Sequence, residues 1–280
     1  MKIKDLSLEE HFTSGHTACP GCGGAIAARI AMKVFGKNTC TYFPANCLLV
    51  FGGTYPYNAF KVPYLHVLFE NSAVCAAGIS RALKKLGRDA KAVAFAGDGD
   101  AYGEGIAHMI FAAKRNADIT VIVHDNGTYA LTTGQFSPTS KKGFKGPSMP
   151  EGNVENPLNP LSLLLEAGAR FVARGYAGKI DHLSDILTDA ILHEGFSVVD
   201  VLQPSVVFND TYKLYNEITE VVSKPADSFE DAVKLVKKMD KKLPIGVFYK
   251  VKKPVFHKEF FGNWNPVKKK HNRNERLKTV

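Results

Sequence analysis

The strongest constraint on how this chain can fold is a pair of apolar runs, each closing in a polar, glycine-containing turn. Val93-Ala-Phe-Ala runs into Gly97-Asp98-Gly99-Asp100, and Ile119-Thr-Val-Ile-Val-His124 runs into Asp125-Asn126-Gly127-Thr128. The stretch 103–115 between them has the length and composition of one helix. Two strands separated by a helix are predicted to lie side by side and parallel, because a parallel pair needs a crossover and the helix supplies it. Both turns then fall on the carboxyl edge of one sheet, and Asp98 and Asn126, 28 positions apart, come close together.

The alternation continues on both sides. Apolar runs at 62–69, 91–96, 119–124, 169–173 and 197–202 read as strands, and 72–86, 103–115 and 180–193 as helices. The pattern predicts an α/β fold with a doubly wound, mostly parallel sheet. Runs such as Val-Ile-Val-His suit strands covered by helices on both faces. The loop from Asn126 to about Pro160 is too long for a plain connection, and it starts at a strand end, where ligands of open α/β sheets bind. A functional role is expected for it. Past Asn209 the chain changes to a Lys-rich helical stretch, 228–242, then Pro254 and an aromatic, basic end. The expected division is a ligand-binding domain at 1–209 and an extension at 210–280 that contacts another subunit.

Glycines on either side of Asp98 let the backbone approach a diphosphate and aim N–H groups at it. A carboxylate, an amide oxygen and a main-chain carbonyl are the hard oxygen donors that Mg²⁺ prefers. Gly-Asp-Gly alone is a common turn, as is Asp-Asn-Gly. Their occurrence together, each at the end of an apolar strand, is far more specific.

Composition narrows the alternatives. Hydrophobic residues make up 45% and charged residues 22% of 280 positions, as in ordinary globular proteins. Neither a signal-peptide core nor a run long enough to span a bilayer is evident, so a soluble, cytoplasmic protein without membrane contact is expected. The net charge of +9 lies mostly late, from Lys234 to Lys242 and from Lys268 to Lys278. No nucleic-acid-binding module accompanies it, and an acidic protein partner is the better match. Five cysteines, all before position 76, argue against a disulfide framework. By itself Cys19-Pro-Gly-Cys22 is compatible with a zinc half-site, a redox dithiol or a pair of iron–sulfur ligands. Cys40 and Cys75 read as small buried side chains.

The run from Gly97-Asp98-Gly99 to Asn126 resembles the signature of thiamine diphosphate enzymes. Asn126-Gly-Thr-Tyr-Ala-Leu-Thr-Thr-Gly-Gln135-Phe-Ser-Pro138 narrows it to the β subunits of 2-oxoacid:ferredoxin oxidoreductases. Val172-Ala-Arg-Gly-Tyr176 and Asp200-Val-Leu-Gln-Pro204 resemble the 2-oxoglutarate and broad-range branch, while Pro63-Tyr-Leu-His66 through Asn71 looks more like the pyruvate branch. The resemblance spans about 15–209.

On that resemblance the fold is the pyrophosphate-binding type of thiamine diphosphate domain. It implies that Asp98, Asn126 and the Thr128 carbonyl hold Mg²⁺. Gly97, Gly99, Asp100, Tyr129 and Ala130, with Asn46 and Cys47, contact the cofactor. Cys19, Cys22 and Cys47 match three ligands of a [4Fe–4S] cluster; the fourth family cysteine is Ser205 here, a poorer ligand for iron. A four-iron cluster with Ser205 or an exogenous fourth ligand is the first expectation, ahead of a three-iron cluster or none. Thr133 replaces a lysine that one branch uses in handling coenzyme A or substrate.

The implied activity is oxidative decarboxylation of a 2-oxoacid to acyl-CoA and CO₂, with electrons passing through iron–sulfur clusters to ferredoxin. An α subunit would complete the thiamine site, with γ and ferredoxin-like δ chains beside it. No residue of this chain is singled out as catalytic. A non-oxidative decarboxylase subunit and a non-catalytic scaffold are the competing expectations.

Overall fold

The computed structural model describes residues 3–56, 58–238 and 242–262. In chain order the elements are α1 (Gly23–Phe35), β1 (Thr39–Phe43), α2 (Cys47–Gly53), β2 (Tyr64–His66), α3 (Ser72–Lys85) and β3 (Lys91–Gly97). A π-helical turn, Gly99–Glu104, leads into α4 (Ile106–Lys114) and β4 (Thr120–Asp125). Then follow α5 (Pro160–Glu166), β5 (Phe171–Tyr176), α6 (Ile180–Leu192) and β6 (Ser197–Leu202). The described residues end with α7 (Tyr212–Ile218), β7 (Thr219–Val221), α8 (Phe229–Lys237), β8 (Leu243–Lys250) and α9 (Phe256–Phe261).

The eight strands form one sheet in the order β2-β1-β3-β4-β6-β5-β8-β7, parallel throughout except where β8 runs against β5. Side chains alternate across it, as a strand's period of two requires. Val93, Phe95, Ile122 and Val199 pack under α1 and α6, against Ala27, Ile30, Leu183 and Leu187. Ala92, Ala94, Val121 and Val198 pack under α3, α4, α5 and α8, against Ala76, Met109, Leu164 and Ala232. Both faces are covered, which explains why the middle strands are apolar on both sides.

One pair of charges breaks that rule. Arg174 of β5 stands in register with Asp200 of β6, both buried, with Nε donating to Oδ2 at 2.9 Å. The Tyr102 hydroxyl donates to the other carboxylate oxygen at 3.1 Å.

The boundary expected at Asn209 does not coincide with a break in the sheet. β7 and β8 lie beyond it, and Tyr215, Leu243 and Ile245 form a further apolar cluster with Tyr176 and Leu202. Pro244 and Gly246 disguised β8 in the sequence, because both residues are usually depleted in strands. Gly246 has φ +143°, and a Cβ there would meet the Val222 carbonyl at 2.9 Å. Lys241 and the basic run from Lys268 to Lys278 lie outside the described residues. Among the described residues no helix is long and apolar enough to cross a membrane.

The strand order fixes where a ligand can sit. From β1 the chain moves to one side to make β2, then returns to the other side to make β3. The carboxyl ends of β1 and β3 therefore diverge at a topological switch point, the usual binding crevice of such sheets.

Candidate functional site

A cavity of about 90 Å³ occupies that crevice. The end of β1 contributes Asn46 and Cys47, and the end of β3 contributes Gly97, Asp98, Gly99 and Asp100. The end of β4 contributes Asn126, Thr128, Tyr129 and Ala130. All ten residues singled out in the sequence for cofactor contact thus line one cavity.

Local chemistry shapes each edge. Asn46 caps α2, its Oδ1 accepting from Leu49 N at 3.1 Å, while its Nδ2 donates to the Phe95 carbonyl at 3.2 Å. The Asp100 carboxylate turns back into its own loop, with Oδ2 accepting from Gly97 N and from Asn46 Nδ2. It braces the glycine turn, and its Oδ1 is buried without a partner. The π-turn closes with Gly105 N donating to the Asp100 carbonyl at 2.7 Å. Single π turns occur often at functional sites, where they re-aim a helix start. Gly99 is required by space: a Cβ there would overlap the Tyr129 ring, with Cδ1 at 2.6 Å.

Asp98 is held by hydroxyls of the long loop that the sequence marked as functional without singling out these residues. Ser137 Oγ and Thr139 Oγ1, from the long loop after β4, both donate to its Oδ2, the second at 2.8 Å. Thr139 Oγ1 also lies 2.8 Å from Asp125 Oδ1, and Ser140 Oγ donates to the Gly127 carbonyl. Burial pushes the Asp98 carboxyl up to about 6, against the opposing pull of Ser137, Thr139 and the backbone N–H groups of Asp98 and Asn126. Burial, then the charges of Asp200 and Asp98, pushes Asp125 well above the usual carboxylate range. A cation beside such groups reverses the penalty on their ionised forms. With the bare glycines, the unpartnered Asp100 oxygen and the Asn126 amide, the residues fit a diphosphate and a hard divalent cation.

A second cavity, of about 260 Å³, adjoins the first. Cys19, Cys22, Cys47 and Ser205 all line it. The N-terminal cysteine loop reaches Ser205 because Gly23 and Gly24 pack directly on the 203–204 segment, where a Cβ would meet Gln203 or Pro204 at 2.9–3.1 Å. Gly23 N donates to the Pro204 carbonyl at 3.3 Å, and the Tyr212 hydroxyl to the Gly21 carbonyl at 3.0 Å. Burial raises the Cys47 thiol to about 11, with the charges of Cys22, Cys19 and Asp98 adding to it, and burial raises Cys22 as well. Thiols whose ionisation burial opposes, as at Cys22 and Cys47, are suited to iron, which would favour their thiolate forms. Among the described residues no three His, Cys, Asp or Glu side chains converge on a single-ion site. The soft thiol donors of this wall fit the ligand chemistry of an iron–sulfur cluster.

Several other residues fall away from the cavities. His66 is exposed, and Asn71 sits at the N-cap of α3 without a capping bond from its side chain. His16 stacks on Phe12 at 5.0 Å, its Nδ1 accepting from Ala18 N. Cys40 and Cys75 are half-buried rather than fully buried, packed against the α3–α4 side of the core. Thr133 adopts φ +82° in the loop.

The geometry defines a thiamine diphosphate-binding domain, and the comparisons agree: residues 45–201 match the family "Thiamine pyrophosphate enzyme, C-terminal TPP binding domain". The chain is 36% identical to 2-oxoacid:ferredoxin oxidoreductase 1, subunit beta, of Aeropyrum pernix over 251 residues, covering 82% of this chain and 76% of that one. It is 37% identical to the corresponding β subunit of Saccharolobus solfataricus over 255 residues, covering 82% and 80%. It is 34% identical to pyruvate synthase subunit PorB of Methanothermobacter thermautotrophicus over 210 residues, covering 73% and 72%. The structure of a 2-oxoglutarate:ferredoxin oxidoreductase from Magnetococcus marinus, with 2-oxoglutarate, coenzyme A and succinyl-CoA bound, superposes with a TM-score of 0.82 at 29% identity. That match covers 100% of this chain and 96% of that one. The chain belongs to the β subunits of the 2-oxoacid:ferredoxin oxidoreductases, which are parts of multi-subunit enzymes.

Proposed function

We propose that this chain holds the diphosphate end of thiamine diphosphate and carries electrons away from it, in an enzyme that converts a 2-oxoacid and coenzyme A to acyl-CoA and CO₂. Asp98, Asn126 and the Thr128 carbonyl are the Mg²⁺ ligands in this reading. Cys19, Cys22 and Cys47 are ligands of a [4Fe–4S] cluster, with Ser205 or an exogenous group completing it. Thiamine diphosphate, when bound, supplies the carbanion-stabilising centre that decarboxylation requires. Ferredoxin is the final electron acceptor.

The observation that carries this reading is a shared wall. Cys47, Asn126, Ala130 and Leu131 line both the cofactor cavity and the cysteine cavity. A cluster held by the three cysteines would therefore lie directly beside the thiamine site, an arrangement with a purpose in an oxidative reaction and none in simple decarboxylation. The cofactor cavity is also too small for a whole cofactor, since ligand pockets usually enclose roughly 300–1,000 Å³. That supports an α subunit supplying the other half of the site, with γ and δ chains completing the assembly.

The test is anaerobic co-expression with the adjoining subunits, followed by iron and sulfide analysis and an assay of coenzyme A-dependent viologen reduction. Dye reduction that needs both coenzyme A and a 2-oxoacid is expected. CO₂ release without dye reduction would replace the reading with a non-oxidative decarboxylase, and neither activity would leave a scaffold.

A further inference from the structure

His124 ends the apolar part of β4 and is among the residues that line the cofactor cavity. The ring is buried and stacks on Phe95, with centroids 5.8 Å apart and planes 16° from parallel. Neither ring nitrogen has a hydrogen-bond partner, although both are buried. Buried polar groups without partners are rare in folded proteins, and each one calls for an explanation.

The surroundings supply one. His124 stands in direct register with Gly97 on β3, one residue before Asp98. Gly97 also lines the cavity, and a Cβ there would crowd Asp100 Oδ2 at 3.2 Å. The cavity is lined by two aspartates, Asp98 and Asp100, and by no lysine or arginine. Among the described residues no cationic side chain lines the cavity, so metal, backbone N–H groups and neutral side-chain donors are what these residues offer a diphosphate. Asn46 Nδ2 is already spent on the Phe95 carbonyl and on Asp100. An imidazole carries at least one N–H in any protonation state.

We propose that His124 is a cofactor-binding residue whose ring N–H donates a hydrogen bond to a diphosphate oxygen beside Gly97. The proposal rests on the reading of this cavity as the thiamine diphosphate site. Stacking on Phe95 fixes the ring plane, so the donor is oriented before the ligand arrives. Hydrogen bonds to charged acceptors are the stronger kind, and losing one is expected to weaken binding about tenfold.

The experiment uses the complete enzyme, stripped by chelation and refilled with Mg²⁺. Binding of thiamine diphosphate and of inorganic pyrophosphate is titrated calorimetrically for the wild type, His124→Phe, His124→Gln and Asp98→Asn. The Phe variant keeps the stacking and loses the donor. It is expected to bind both ligands about tenfold more weakly, while its ligand-free thermal midpoint stays level or rises. The Gln variant is expected to recover most of the affinity for both. Unchanged affinity in the Phe variant overturns the proposal, as does a loss confined to thiamine diphosphate, which would place the contact away from the diphosphate. A midpoint that falls in step with affinity in both His124 variants shows a structural role and also overturns it. Should Asp98→Asn retain both ligands undiminished, the cavity reading itself fails; if only the His124 variants do so, the failure is confined to His124.

Discussion

Asp98→Asn is predicted to stabilise the protein and disable it at once. The carboxyl is 2% exposed, and burial raises it from 3.8 to about 6. A raised carboxyl means that the folded chain binds more protons than the unfolded chain between those two values. Stability therefore falls as pH rises through that window and is level above it. Roughly two pH units at about 1.4 kcal/mol each amount to about 3 kcal/mol of strain at neutral pH, in protein stripped of metal and cofactor. An asparagine keeps an oxygen for Ser137 and Thr139 and carries no charge. The stripped variant should therefore be more stable than wild type at pH 7.5, by up to about 3 kcal/mol, and about equal at pH 4. Adding Mg²⁺ and thiamine diphosphate should reverse the order, because wild type gains a ligand site and the variant does not. Thermal midpoints measured at both pH values, with and without Mg²⁺ and cofactor, give all the comparisons. A variant less stable than stripped wild type at pH 7.5, or one stabilised equally by the ligands, would refute the reasoning.

Gly99→Ala would drive a methyl group into the Tyr129 ring, and cofactor retention after gel filtration should fall at least tenfold, in line with the loss of a close backbone approach. Cys47→Ala should remove most of the iron and with it dye reduction, while Ser205→Cys should retain or raise the iron content; equal iron in all three proteins would sink the cluster assignment. Arg174→Met strands the Asp200 carboxylate between strands and should cost about 3–5 kcal/mol in denaturant unfolding, whereas Arg174→Met combined with Asp200→Leu should cost far less.

Residues at strand ends were legible in the sequence, and residues reaching the site by a longer path were not. Asp98 and Asn126 could be placed together because a helix between two apolar runs leaves one arrangement for the strands, and the structure sets Gly97 beside His124 in the pairing of β3 and β4. Asn46 and Cys47 follow β1, which no apolar run announced: Thr39-Cys-Thr-Tyr-Phe alternates polar and apolar residues only weakly. For those two residues only the family resemblance placed them. Ser137 and Thr139 lie 39 and 41 positions from Asp98, in a loop whose path depends on its own turns rather than on any periodicity. Its length marked the loop as functional, yet nothing marked which hydroxyls would return.

His124 was hidden for the opposite reason. It completes an apolar run and so reads as one more buried residue of the strand, which it is. Only the three-dimensional structure shows that the burial leaves both nitrogens unpaired. β8 went unmarked on similar grounds, since Pro244 and Gly246 break the pattern that would have announced it, although the sheet continues past Asn209. Arg174 and Asp200 resemble surface charges until register places them face to face. A sequence periodicity reports which face a side chain takes, but it does not report what stands opposite. That is the information on which a carboxylate's proton, a buried ion pair and an idle imidazole all depend. The single-residue tests above therefore concentrate on pairs of groups that the fold, and not the local sequence, brings together.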